Sequence, residues 1–258
     1  MNDKSMTTSP RRSFATERDT LHREGMEAHL QTLARTEPLR HIANFFCKYA
    51  LRQEVTRFLG RYELFKMVAE VQGCILECGV REGQGLMNWA QISAILEPVA
   101  GVLRHVYGFD TFEGFPEVHA KDLDSGVPLN WQPGDVKSES YEDLKRCIEL
   151  FDLNRLLPQF PKVSLIRGDF RETSEQFVKD NPHVLVSLMY LDFDLYEPTK
   201  KALEVFLPRC SKGSIICFDE INHPLWPGET RALLEKFDLR NIAIRKFPWE
   251  INMSYIIL

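Results

Sequence analysis

The chain has 258 residues, of which 44% are hydrophobic, 11% aromatic and 27% charged, with 14 glycines and 14 prolines. That length suits one large α/β domain with an appendage and leaves no room for two enzymes, and the composition excludes collagenous and disordered chains. The formal net charge of −5 leaves no basic surplus to neutralise a nucleic-acid backbone or an anionic membrane surface.

No apolar run approaches the roughly 18 residues of a membrane helix, and the first thirty residues lack the apolar centre of a secretory signal. A cytoplasmic protein is expected. Residues Met1 to about Thr20 are polar, contain Pro10 and show no period, which reads as a mobile tail. Residues 21–72 read as a helical extension: Phe45, Phe46, Tyr49 and Leu51, then Val55, Phe58, Leu59, Tyr62, Leu64, Phe65 and Val68, punctuated by Pro38 and Gly60. Such helical preludes often pack between subunits, and a homo-oligomer is expected.

After Gly73 the pattern changes to short apolar runs separated by helical segments, the texture of a parallel sheet covered on both faces. Strands are expected at Cys74–Cys78, Val106–Phe109, Val163–Ile166, Val184–Leu191, Ser214–Phe218, Ile242–Lys246 and Ser254–Leu258, and helices at Gly85–Leu96, Pro198–Leu207 and Glu229–Phe237. Together they make residues 73–258 a doubly wound, mostly parallel seven-stranded α/β domain. An insertion at 111–160 separates two neighbouring strands. Ser140–Phe151 is helical within it, and a Gly- and Pro-rich stretch from Glu113 to Lys137 reads as a lid or binding loop. Six cysteines, Cys47, Cys74, Cys78, Cys147, Cys210 and Cys217, lie in apolar segments without paired C-x-x-C spacing and read as reduced packing thiols; Cys74 and Cys78 share one strand face.

The first chemical motif is Ile75-Leu76-Glu77-Cys78-Gly79-Val80-Arg81-Glu82-Gly83-Gln84-Gly85, a strand running through a glycine turn into a helix. Glycines at 79, 83 and 85 let backbone approach a ligand closely, and the helix that follows presents free N–H groups. The spacing is not the dinucleotide fingerprint, and Glu77 would repel a pyrophosphate but not a sulfonium zwitterion such as S-adenosylmethionine. Asp110, 33 residues after Glu77 and followed by Thr111, stands where an acid accepts both hydroxyls of a ribose. Asp169 and Phe170, after the third strand, are placed to line an adenine pocket.

The strongest signal is acidic. Tyr190-Leu191-Asp192-Phe193-Asp194-Leu195-Tyr196-Glu197-Pro198-Thr199 ends one strand, and Phe218-Asp219-Glu220-Ile221-Asn222 ends the next, so Asp192, Asp194, Asp219 and Glu220 gather at adjacent strand ends. The 27 residues from Asp192 to Asp219 fit one right-handed crossover, which puts both ends on the same sheet edge. Like charges at such an edge demand a cation or a raised pKa, and oxygen-only ligands favour a hard ion, chiefly Mg²⁺.

The strings LECGVREGQG, YGFDTFEGFP, LDFDLYEPTKKAL and FDEIN, in that order, resemble the macrocin O-methyltransferase family, over about Tyr62 to Phe237. The resemblance implies a class I methyltransferase fold that uses S-adenosylmethionine and Mg²⁺ to methylate a sugar hydroxyl on an antibiotic or its sugar precursor. It implies metal binding by Asp192, Asp219 and Glu220, with Asp192 also beside the cofactor, and Asp194 as general base. The family usually has Asp-Asp where this chain has Asp219-Glu220, and an aromatic where it has Arg81.

His223 is a second candidate for orienting the substrate hydroxyl or accepting its proton, and His119 a weaker one. Trp226, ahead of Tyr62 and Trp131, is a candidate platform for a sugar or aglycone. His22, His29, His41, His105 and His183 show no partners in the sequence. The rival readings are an Mg²⁺-dependent methyltransferase of catechol-like phenols, a nucleotide-sugar dehydrogenase or epimerase, and a non-catalytic Ca²⁺ module. For the second rival, the Tyr-x-x-x-Lys pair Tyr62 and Lys66 precedes the glycine turn and is in the wrong place.

Overall fold

The computed structural model describes residues 17–33 and 46–258. The expected tail falls largely outside these residues, as does Pro38; its last four residues, Glu17–Thr20, begin helix α1 (Glu17–Leu33). Two further helices, α2 (Phe46–Tyr49) and α3 (Arg52–Val68), lead into the sheet-bearing part of the chain. Among the described residues, Phe58–Leu258 form one compact unit, which takes in most of α3. The reason lies in α3, whose Leu64, Phe65 and Val68 are wholly buried among Ile75, Leu86, Trp89 and Leu188.

Seven strands form one sheet in the order β3-β2-β1-β4-β5-β7-β6. They are β1 (Cys74–Cys78), β2 (Val106–Asp110), β3 (Val163–Arg167), β4 (Val186–Leu191), β5 (Cys210–Phe218), β6 (Arg245–Lys246) and β7 (Ser254–Ile257). The first five are parallel and β7 runs antiparallel to β5. The order reverses between β1 and β4, where open α/β sheets leave a crevice at the carboxyl ends of their strands. Three expected strands change extent by more than one residue, β5 beginning at Cys210 rather than Ser214. Val184 and Leu185 precede β4, and Ile242–Lys246 contracts to the exposed pair Arg245–Lys246 at the sheet edge.

Alternation along the strands sends side chains to two cores. Ile75, Leu188, Tyr190, Ile215 and Cys217 face one, covered by α3, α4 (Gln84–Leu96) and α5, a longer helix of the insertion (Tyr141–Leu153). Cys74, Leu76, Cys78, Met189, Leu191, Ile216 and Phe218 face the other, covered by α6 (Phe170–Asp180), α7 (Tyr196–Phe206) and α8 (Pro227–Lys236). Cys74 and Cys78 do share one face. All six thiols are free, but Cys47 and Cys147 are exposed rather than packed. His105 does have a partner: Nε2 lies 2.9 Å from Ser164 Oγ, and burial pulls its pKa down to about 4.

The insertion holds a single turn of helix, Ala120–Leu123, and a satellite cluster in which Trp131 stacks on Trp226 at 4.1 Å while Phe115 meets both rings edge-on. Trp226, expected to face a substrate, is 1% exposed and belongs to this cluster, because a flat apolar ring is better covered by Trp131 than left to solvent.

Candidate active site

Backbone hydrogen bonds extend the parallel register past the strand ends. The Gly79 amide donates to Phe109 O, that of Asp192 to Cys78 O, and that of Asp219 to Leu191 O. Gly79, Asp192 and Asp219 therefore form one row at the carboxyl edge of β1, β4 and β5. Gly79 has φ +94°, and a Cβ there would lie 2.0 Å from Asp192 O, so only glycine lets the turn after β1 pass this close to the end of β4.

The turn itself is tied to β2. The Val80 and Arg81 amides each donate to Asp110 Oδ2 at 2.7 Å, and the Phe112 amide donates to Oδ1. Asp110 thus anchors the glycine turn. A carboxylate has about four acceptor positions, so three amides leave capacity for one sugar hydroxyl rather than the expected two. Thr111, the next residue, donates its hydroxyl to Gly114 O. Gly83, with φ +84°, opens α4.

Glu77, expected to face the cofactor, turns beneath the loop instead. It is 1% exposed, accepts the indole N–H of Trp89 and lies 3.5 Å from Arg61. Burial lifts its pKa to about 7 despite the guanidinium. A Cβ on Gly85 would overlap Glu77 Oε1, so this glycine makes room for the buried ion pair. The Arg61 guanidinium also sits 4.5 Å over the Tyr190 ring, and its charge reaches Asp219 and Asp192. Sequence reading missed Arg61; its one signal was a charge on the apolar face of α3 between Phe58, Leu64 and Phe65.

Asp169 and Phe170 are likewise occupied. Asp169 caps α6 by accepting the Arg171 amide at 2.9 Å and pairs with the Arg171 guanidinium. The Phe170 ring packs edge-on against Phe109 and Phe193.

The acidic residues follow the ends of β4 and β5, and most are buried. Asp194, Asp219 and Glu220 are 3%, 0% and 2% exposed, and Asp192 is part-buried. Asp194 adopts φ +63°, a left-handed conformation that strains a residue other than glycine and is found at functional sites more than elsewhere. One further acid, Glu229 in the first turn of α8, is wholly buried and accepts the Glu220 amide through Oε2 at 3.1 Å. The sequence concealed it as an ordinary first-turn acid of a helix. His223 takes the Leu225 amide on Nδ1 within the following turn, and His119 caps the short helix of the insertion.

The expected metal ligands Asp192, Asp219 and Glu220 are not closed around one point. Among the described residues no group of three or more His, Cys, Asp or Glu side chains is arranged to hold a metal ion. Asp219 follows the β5 alternation onto the face of Cys217, where Oδ1 accepts the Tyr190 hydroxyl and Oδ2 lies 3.4 Å from Asn252 Nδ2. The donor chemistry nevertheless fits a hard cation. Buried carboxylates in excess of the Arg61 guanidinium are either protonated or matched by positive charge, and all their donor atoms are oxygen.

This sheet order, with a glycine turn after β1 and acids after β4 and β5, defines a class I methyltransferase. The family model described as macrocin O-methyltransferase (TylF) matches residues 62–243, and the chain belongs to that family. A crystal structure of the calicheamicin methyltransferase CalS11 is 30% identical, covers 99% of both chains and superposes with a TM-score of 0.85. The apo structure of CalS11, described as a TDP-rhamnose 3'-O-methyltransferase, is 28% identical over 95% of this chain and 97% of its own, with a TM-score of 0.79. A tetracenomycin rhamnosyl 4'-O-methyltransferase of Streptomyces olivaceus is 30% identical over 152 residues, or 58% of this chain, and the match spans about half (53%) of that relative's length. The resemblance and the fold expected from the sequence are both borne out.

Proposed function

We propose that this protein methylates a hydroxyl of a deoxysugar, carried on a nucleotide or a natural product, using S-adenosylmethionine and a divalent cation, chiefly Mg²⁺. The observation that carries the reading is the row of Gly79, Asp192 and Asp219 with buried Asp194 beside it. A donor bound at the glycine turn and an acceptor held at the acids would then be neighbours. When bound, S-adenosylmethionine supplies the methyl group and the cation supplies positive charge that makes a weakly acidic sugar hydroxyl easier to deprotonate.

The chain's own residues supply position and proton transfer. Asp110 fixes the glycine turn and takes one hydroxyl of the donor's ribose. Asp192, Asp219 and Glu220 hold the cation through carboxylate oxygens, Arg61 offsets part of their mutual repulsion, and Asp194 accepts the proton of the reacting hydroxyl. The insertion excludes water above them. Six free thiols suit the reducing cytoplasm expected from the sequence.

The sugar assignment draws on the relatives, two of which are named for rhamnose chemistry. The test is transfer of labelled methyl from S-adenosylmethionine to a panel of nucleotide-linked and aglycone-linked deoxyhexoses, with simple catechols alongside. Labelling of a sugar supports the reading; labelling of catechols alone refutes it.

A further inference from the structure

We propose that Glu229 is a fourth carboxylate of the cation site, fixing Glu220 with one oxygen and turning the other toward the ion. This rests on the divalent-cation reading above.

Three observations carry it. Glu229 is 0% exposed, and its Oε1 has no hydrogen-bond partner, a costly arrangement for a buried acid that only serves structure. Its Oε2 accepts the Glu220 amide at 3.1 Å, and the next residue, Thr230, accepts the Asn222 amide at 2.9 Å, so the first turn of α8 staples the loop that carries the acidic pair. A Cβ on the preceding Gly228 would lie 2.4 Å from the Tyr196 amide and 2.8 Å from the Leu195 carbonyl carbon. Glycine there lets α8 press against the backbone just after Asp194. The carboxylates of Asp192, Asp194 and Asp219 all lie within electrostatic reach of Glu229. That is the situation a cation relieves.

The role also suits the composition of the acidic pair. Glu220 has a longer and more flexible side chain than an aspartate, and an amide clamp on its backbone restricts where that side chain begins. An extra oxygen from α8 adds a fourth protein donor to a six-donor hard-ion shell, whose remaining positions water or substrate oxygens take.

The test uses Mn²⁺ as a paramagnetic substitute for Mg²⁺, with the full chain free of donor and acceptor, reading bound ion from the loss of the free Mn²⁺ resonance and competing it with Mg²⁺. Glu229→Gln keeps a carbonyl oxygen for the Glu220 amide but removes the charge. It is expected to weaken Mn²⁺ binding by about 10-fold or more, the usual scale for groups around a metal site, with an unchanged melting temperature in the absence of metal. Glu229→Asp keeps the charge, shortens the reach, and is expected to weaken binding too; it decides the matter should the glutamine variant fold poorly. Equal Mn²⁺ affinity in wild type and a folded Glu229 variant overturns the proposal while leaving the cation reading intact. Absence of Mn²⁺ binding to the wild type overturns both.

Discussion

Asp122 caps a helix to which it does not belong: its Oδ1 accepts the Tyr196 amide at 2.6 Å, at the start of α7, while its Oδ2 accepts the His119 amide at 2.8 Å. Leu195, the residue before α7, offers no side-chain cap, so the insertion supplies the missing acceptor one residue beyond the Asp194-Leu195 turn. Lys121 adds a hydrogen bond to the Tyr196 hydroxyl at 2.9 Å and pairs with Glu235 on α8. This part of the insertion is thus docked on the two helices that frame the acids.

Asp122→Ala leaves two amides unpaired and is expected to destabilise the fold by about 2 kcal/mol, measured as a lowered denaturation midpoint with unchanged slope. A change within about 0.5 kcal/mol would show that the contact is incidental.

Asp194→Asn tests the assigned base. The amide tolerates the left-handed backbone and drops a buried charge, so the variant is expected to be at least as stable as the wild type. Its affinity for S-adenosylmethionine, read by calorimetry, should hold while turnover falls by roughly two to four orders of magnitude. Unchanged turnover removes Asp194 from proton transfer.

Glu77 makes stability depend on pH. Its folded pKa of about 7, against an ordinary 4.5, means the folded state keeps a proton that the unfolded chain releases. Its stabilising contribution is therefore complete below 4.5 and is lost as pH rises to about 7, falling by roughly 3 kcal/mol across that window. His105, lowered to about 4 by burial, acts in the opposite sense: its contribution is complete above 6.5 and is lost as pH falls toward 4. Comparing Glu77→Gln with wild type at each pH isolates the first slope, and the difference in unfolding free energy should change steadily between 4.5 and 7. A constant difference would contradict the raised pKa.

Trp226→Ala is expected to cost about 3–5 kcal/mol, since it empties the centre of the insertion's cluster. Trp226→Phe should recover most of that and retain affinity for an accepted sugar. If the phenylalanine variant folded normally but lost sugar affinity alone, the ring would be a substrate platform after all.

Much of this was legible in the sequence because it is local. Cys74–Cys78 is an uninterrupted apolar run ended by glycine, and its limits agree with β1. The row at the sheet edge follows from strand order and right-handed crossovers alone, and it places Asp192 beside Asp219 before any side chain is drawn. Helix α6 went unseen because only Phe170, Phe177 and Val178 mark it as apolar, although Asp169 followed three residues later by Glu172 is a helix-start signature. The partners of Glu77 and Asp219 were out of reach, since Arg61 and Asn252 come from other elements that meet them only when the sheet is covered. Glu229, by contrast, lies nine residues from Glu220 and was hidden only by reading as a first-turn acid. Burial decided the rest: a tryptophan near prolines reads the same whether it faces a ligand or another tryptophan.

The central claim is that the acids after β4 and β5 work with a divalent cation in methyl transfer, and chelation tests it most directly. Release of S-adenosylhomocysteine should be followed with an accepted sugar, first with EDTA and then with Mg²⁺ restored in excess. The account predicts loss of nearly all turnover under EDTA and its return with Mg²⁺. Turnover that continues undiminished in EDTA would contradict it.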